Sequence, residues 1–208
     1  MGMTDQWIMP VYAEILSKYI DENVEPGGKI AWLGQQQANK YSDMYQRIVE
    51  KTNQKQIEHH FYDILNDDDP PYNYRWDVHD SWDNIIKDYD LVLGIRLAYL
   101  VQSASGLVRN LKYAVENNKK VVFDFNTANL LTLMDGTYKQ SWKKDSTNLV
   151  PHFPSRFPKE VKFYEAREDN LLSDEKLANA GLGFGLGWTI GPDPVKGRYY
   201  LCAEVVEK

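Results

Sequence analysis

Apolar residues near the N-terminus, Trp7, Ile8, Val11, Tyr12, Ile15, Leu16, Tyr19 and Ile20, recur at spacings of three and four. That spacing marks one face of an α-helix and predicts a helix over 5–21, covering an edge or one end of a sheet. After Gly27-Gly28 the pattern changes to the short apolar run Lys29-Ile30-Ala31-Trp32-Leu33-Gly34, which reads as a strand. Tyr41, Met44, Tyr45, Ile48 and Val49 then return to helical spacing up to about Thr52, completing a first strand–helix unit. A second strand is expected over 57–64. The stretch 66–73, with three aspartates and two adjacent prolines, is a surface loop.

A short third strand is expected over 74–78. Asp80-Ser81 offers an N-cap for a helix carrying Trp82, Ile85 and Ile86. The run Tyr89-Asp90-Leu91-Val92-Leu93-Gly94-Ile95 is apolar on both faces, as a central parallel strand should be. A helix through Leu107, Val108, Leu111, Ala114 and Val115 follows, ending at Asn117-Asn118, and Lys120 to Phe125 is the fifth strand. From Asn126 to Lys159 the periodicity loosens around Tyr138, Trp142, Phe153 and Phe157, as in a lid, a substrate-binding insertion or a segment packed over the sheet. Val161 to Tyr164 reads as a further short strand. Ser173 to Ala180 is a helix with Ser173 as its cap and Gly181 as its stop. Leu182–Ile190 and Arg198–Val206, joined by a turn rich in Gly and Pro, form an antiparallel hairpin.

Strand and helix alternating in this way imply a parallel sheet with right-handed crossovers. With 208 residues and no internal repeat or linker, 1–208 is expected to be one domain. The formal net charge of −6 argues against a nucleic-acid binder, which shows a basic stripe. One cysteine, Cys202, excludes an intrachain disulfide framework and a cysteine-based metal site. The adjacent His59 and His60 point to opposite faces of a strand and cannot share a metal. The three aspartates of the 66–73 loop lack the alternating spacing of a calcium loop. No metal is therefore expected. Without a basic-then-apolar leader or an apolar run of about 18 residues, a cytoplasmic location and no membrane partner are expected.

Three stretches carry a family resemblance. Tyr89 to Arg96 looks like the fourth strand of the class I S-adenosylmethionine-dependent methyltransferases, where an Asp precedes an apolar run. Leu177-Ala178-Asn179-Ala180-Gly181-Leu182 is similar to that family's helix-then-glycine entry to the sixth strand, and Arg198 to Val205 to its antiparallel seventh strand. The resemblance covers roughly 29–206. It implies a doubly wound, mostly parallel seven-stranded α/β sheet of Rossmann-like type with a C-terminal antiparallel hairpin. It also implies S-adenosylmethionine as cofactor. The first loop departs from the family's acidic residue followed by Gly-x-Gly-x-Gly: here it is Trp32-Leu33-Gly34-Gln35-Gln36-Gln37. Gly34 keeps one close backbone approach. The literal Gly-x-Gly-x-Gly at Gly181 to Gly187 is followed by Trp188-Thr189-Ile190 instead of a helix. It reads as a strand with one bare face.

Ligands of open parallel sheets bind beyond the carboxyl ends of the strands. Those ends present Gly34 and Gln35, then Asp63, Asp80, Arg96, and Asp124 with Asn126. The resemblance implies that Asp63 accepts hydrogen bonds from the ribose hydroxyls. It likewise implies that Asp80 meets the adenine amino group, with Trp82 near the ring. On the residues alone, Asp63 equally begins a turn and Asp80 equally caps a helix. Methyl transfer needs alignment and exclusion of water more than a dedicated acid or base. Arg96 is the leading catalytic candidate, a cation that holds an acidic substrate group or forms a structural ion pair. Tyr99 and His152, with Tyr138 and Trp142, are candidates for the acceptor pocket. No Asn/Asp-Pro-Pro-Tyr motif follows the fourth strand, which with the acidic charge favours a small-molecule or peptide acceptor. A binding or scaffold protein that keeps the fold without the cofactor is the alternative.

Overall fold

A computed structural model describes residues 9–35, 42–63, 66, 72–78, 80–83, 85–95, 97, 104–126, 178–190 and 200–208. Seven strands follow the order β3-β2-β1-β4-β5-β7-β6 in one mixed sheet. The chain resolves into two compact units, Met1–Leu93 and Gly94–Lys208.

In the first unit, α1 (Met9–Asn23) buries Tyr12, Ile15, Leu16, Tyr19 and Ile20, the face expected from their spacing. It packs against α2 (Ser42–Thr52). Lys51 pairs with Glu14, and Lys55 Nζ donates to the carbonyl oxygens of Asp21 and Val24, closing the end of α1. Strand β1 (Lys29–Leu33) lies parallel between β2 (Glu58–Asp63) and β4 (Leu91–Gly94). Lys29 faces Glu58 in the register with β2, and Ile30 faces Leu91 in the register with β4. Burial of Ile30 to Leu33 and of Leu91 to Leu93 matches their apolar runs. The start of β1 is fixed by Asp90, whose Oδ2 accepts from the Lys29 N–H at 2.8 Å. Strand β3 (Asn73–Arg75) adds in parallel to β2, pairing Tyr62 with Tyr74.

Each face of β2 carries its own aromatic cluster. On one face Trp32 Nε1 donates to His59 Nδ1 at 3.0 Å, and Tyr45 from α2 stands edge-on to both Phe61 and His59. On the other lie His60, Tyr62, Tyr74 and Tyr89. The adjacent histidines do point apart.

The expected helix at Asp80-Ser81 is absent from the described residues. Ser81 Oγ accepts from the Asp83 N–H at 3.3 Å, Ile85 and Ile86 N–H both donate to Trp82 O, and only a 3₁₀ turn, Ile86–Asp88, forms. The hydroxyl closes a tight local turn, and three apolar residues bury without a full helix. Strand β3 is shorter and earlier than the expected 74–78.

In the second unit, α3 (Ala104–Glu116) buries Leu107, Val108, Leu111 and Ala114. Strand β5 (Lys120–Asn126) pairs antiparallel with β7 (Tyr200–Glu207), which pairs antiparallel with β6 (Leu182–Ile190). The terminal hairpin is thus as expected. A Cβ at Gly94 would fall 2.1 Å from Cζ of Phe123, so the ring occupies the space a side chain would need.

The glycine series of β6 behaves differently from expectation. Phe184 pairs with Val205 but Gly187 with Ala203, so three steps on β6 match two on β7. This one-residue bulge inverts the alternation. Gly183 therefore shares a face with Val206, and Gly187 shares the opposite face with Ala203 and Val205. No single bare face results.

The expectations at 126–159, over 161–164 and for most of 173–180 lie outside the described residues, apart from β5's last residue and the helical residues 178 and 179.

Candidate functional site

The carboxyl ends of β1, β2 and β3 converge on one corner of the first unit. Gly34 turns the chain there with φ 70°, a left-handed conformation natural to glycine. Its N–H donates to Tyr62 O at 2.6 Å, and the Gln35 N–H shares that oxygen at 3.3 Å. The Gly34 and Gln35 amides are therefore engaged by the neighbouring strand, while Gln36 and Gln37 lie outside the described residues. Gln35 is buried.

Asn66 ties the corner together. Its side-chain Nδ2 lies 3.2 Å from Phe61 O, 3.3 Å from Tyr74 O and 3.4 Å from Gln35 O. Two N–H groups are shared among carbonyls from β2, from β3 and from the turn after β1. Sequence reasoning gives Asn66 no role beyond a loop, because its partners are 31, 5 and 8 residues away and leave no periodicity.

Asp63 is half-buried at the end of β2, and its carbonyl accepts from the N–H groups of Asn66 and Trp76. It begins a turn at the strand end. Trp76 follows β3 directly and is largely buried, standing edge-on to Tyr62 with centroids 6.2 Å apart. The expected strand over 74–78 places it in mid-strand, so nothing in the sequence singles it out. Trp82 has no exposed surface and reaches this corner through a tilted contact with Trp76, 6.4 Å between centroids. Asp80 is exposed in a turn, its N–H donating to Asp77 O at 3.0 Å. Asp63, Asn66, Trp76 and Gly34 are thus gathered at one end of the sheet, with Trp82 behind them and Asp80 on the following turn. Arg96, Tyr99 and His152, with Tyr138 and Trp142, lie outside the described residues.

Burial shapes the titration of the surrounding groups. The Tyr62 hydroxyl is pushed up to about 12, chiefly by burial, and Tyr89 is also raised. Both stay protonated at neutral pH. His59 is lowered to about 4 by burial and then by His60. In the second unit Asp124 and Cys202 face each other across β5 and β7, both buried, and burial with Asp124 raises the thiol well above its usual range. Such a thiol is unreactive.

The strand order, the parallel pairings of β1 with β2 and β4, and the antiparallel β7 are now in place. A solved structure of the trans-methyltransferase CalH in complex with SAH superposes with a TM-score of 0.54 over 99% of this chain and 60% of that one, at 12% identity. The fold is that of the class I methyltransferases. Weaker matches have related descriptions. Magnesium protoporphyrin IX methyltransferase (ChlM) from Synechocystis PCC 6803 with bound SAM gives 0.49 at 8% identity, covering 100% of this chain and 85% of that one. A SAM-dependent methyltransferase from Aquifex aeolicus gives 0.47 at 10% identity, covering 95% and 98%. No protein-family model and no characterised protein sequence matches the chain.

Among the described residues no helix is long and apolar enough to cross a membrane, and no group of three metal-ligating side chains occurs.

Proposed function

We propose that this methyltransferase fold binds S-adenosylmethionine at the carboxyl ends of β1–β3 and transfers its methyl group to a small-molecule acceptor in the cytoplasm. The observation that carries the reading is the convergence of Gly34 with its left-handed backbone, half-buried Asp63 and the indole of Trp76 at one strand-end corner. The donor set suits a nucleoside: a carboxylate accepts from two ribose hydroxyls, and an aromatic edge meets a purine. Asp63 orients the sugar, Trp76 backed by Trp82 borders the base, Gly34 admits close approach, and Asp80 lies on the adenine side. When bound, the cofactor supplies a methyl group on a positively charged sulfur. Alignment and dryness then set the rate. Arg96, Tyr99 and His152 are proposed to hold the acceptor.

Calorimetric titration with S-adenosylmethionine and S-adenosylhomocysteine tests this reading. Binding of either is expected, with Asp63→Ala weakening it by about 1–3 kcal/mol, the usual loss for a hydrogen bond to a charged group. Absence of heat and of any thermal shift at millimolar ligand would overturn it. One observation favours a second reading. Because the Gly34 and Gln35 amides are engaged by Tyr62, a scaffold protein retaining the fold without the cofactor gives that null result.

A further inference from the structure

Beneath the strand-end corner, a row of polar groups crosses the aromatic face of β2. Glu58 Oε2 lies 3.5 Å from His60 Nε2, His60 Nδ1 lies 2.8 Å from the Tyr89 hydroxyl, and that hydroxyl lies 2.7 Å from the Tyr62 hydroxyl. Glu58 is about half exposed, while His60, Tyr89 and Tyr62 are buried. The row runs from solvent to the residue before Asp63.

The donors and acceptors can be assigned. A carboxylate only accepts, so the neutral ring of His60 carries its proton on Nε2, facing Glu58. Nδ1 is then bare and accepts from Tyr89 O–H, and the Tyr89 oxygen accepts from Tyr62 O–H. Every hydrogen in this row points towards His60. If His60 takes up one proton on Nδ1, that N–H must donate to Tyr89. Tyr89 then turns its hydrogen to the Tyr62 oxygen, and the Tyr62 hydrogen turns away from the row. One proton enters and no bond between heavy atoms changes.

We propose that Glu58, His60, Tyr89 and Tyr62 form a proton-driven switch in which protonation of His60 reverses the direction of the row. The Tyr62 hydroxyl then changes from a donor into the row to a donor out of it. The change is delivered within the ring stack of Tyr62 on Tyr74, whose centroids are 4.6 Å apart.

The surroundings set the threshold. On β2, the Glu58 carboxylate favours the cation. From β1, Lys29 Nζ lies 3.5 Å from the same Glu58 Oε2 and opposes it. Asp90 is bonded to the Lys29 backbone N–H. Tyr72 stands edge-on to the His60 ring and Tyr74 stacks on it at 6.1 Å. Asp88, beside Tyr89, acts on both tyrosines. Burial is the largest influence on His60 and lowers its titration below the usual histidine range, with Glu58 pulling it back. Nε2 is buried and makes no hydrogen bond, its nearest carboxylate oxygen being 3.5 Å away, which leaves room for Glu58 to close in when the ring is charged.

Nitrogen-15 NMR of the histidine rings in the full chain across pH 4–8 tests the switch, with the His60 signals assigned by their loss in His60→Gln. The expected neutral form carries its proton on Nε2. Tyr62→Phe removes the acceptor that the reversed row needs, although its hydroxyl reaches His60 only through Tyr89. It should lower the His60 midpoint by about half to one pH unit, one hydrogen bond's worth. Tyr89→Phe should lower it at least as far, and it stands in if Tyr62→Phe does not fold. Tyr72→Phe, whose ring touches His60 but whose hydroxyl is outside the row, should leave the midpoint in place. A proton on Nδ1 in the neutral form, or a midpoint unchanged in Tyr62→Phe or, failing that variant, in Tyr89→Phe, would overturn the proposal.

Discussion

His59 and His60 are neighbours on one strand, both buried, and they differ in almost everything else. His59 is enclosed by Trp32, Tyr45 and Phe61, and its Nδ1 receives the Trp32 indole N–H. That bond suits a neutral ring. His60 has the Tyr89 hydroxyl on one nitrogen and a carboxylate near the other, so its environment can serve either charge state. The lesson is that burial alone does not decide what a histidine does. The destination of each ring nitrogen decides it. One face of β2 uses the imidazole as packing, and the other uses it as a responsive group.

The comparison breaks most severely at Trp32. Trp32→Ala should cost about 3–5 kcal/mol in urea unfolding, because it empties a fully buried site and removes the His59 donor. A loss under about 1 kcal/mol would mean that the indole packs loosely. Acid is the next lever. His59 falls from 6.5 unfolded to about 4 folded, so the unfolded chain binds the proton first as pH drops. Its contribution is complete above about 6.5 and is lost on acidification towards 4, by up to about 3 kcal/mol. In urea unfolding measured against pH, His59→Phe should flatten that acid slope. A slope equal to the wild type's would assign the loss to other groups.

Smaller effects belong to the other face. Tyr89→Phe should cost about 1–2 kcal/mol at pH 7, measured by thermal unfolding, because it leaves His60 Nδ1 and the Tyr62 hydroxyl without their shared partner. Glu58→Gln should cost less than about 1 kcal/mol, since the residue is half exposed and its pairs with Lys29 and His60 are long. It should nonetheless lower the His60 midpoint, seen by NMR. Stability and titration thus separate at Glu58, whereas at Trp32 the dominant effect is on stability.

How much of this was legible beforehand depends on the range of the interaction. Strands β1, β4 and β5 announce themselves because residues such as Ile30, Val92 and Val122 are buried on both faces and form local apolar runs. The alternation Glu58, His60, Tyr62 places three residues on one face of β2 from sequence alone. Tyr89, which joins two of them, is 27 residues beyond Tyr62 and leaves no pattern. Asn66 and Trp76 are hidden for the same reason, since their importance lies in which strand ends they meet. The false helix at Trp82, Ile85 and Ile86 shows the opposite failure. Helical spacing over only five residues is satisfied just as well by a turn with a short 3₁₀ segment. Asp63 and Gly34 were legible as strand-end residues, but the capture of the Gly34 and Gln35 amides by Tyr62 was not.

The bulge in β6 also defines where the chain can change length. Between Phe184 and Gly187 the strand carries one residue more than β7 needs. Deleting either Gly185 or Leu186 would therefore leave a continuous ladder, with Phe184 still opposite Val205 and Trp188 still opposite Cys202. A deletion beyond the bulge, between Trp188 and Ile190, would pull the residues that follow out of step with β7. The glycine-rich strand thus holds its spare residue inside the bulge, and the strand can lose one residue there without losing its pairing.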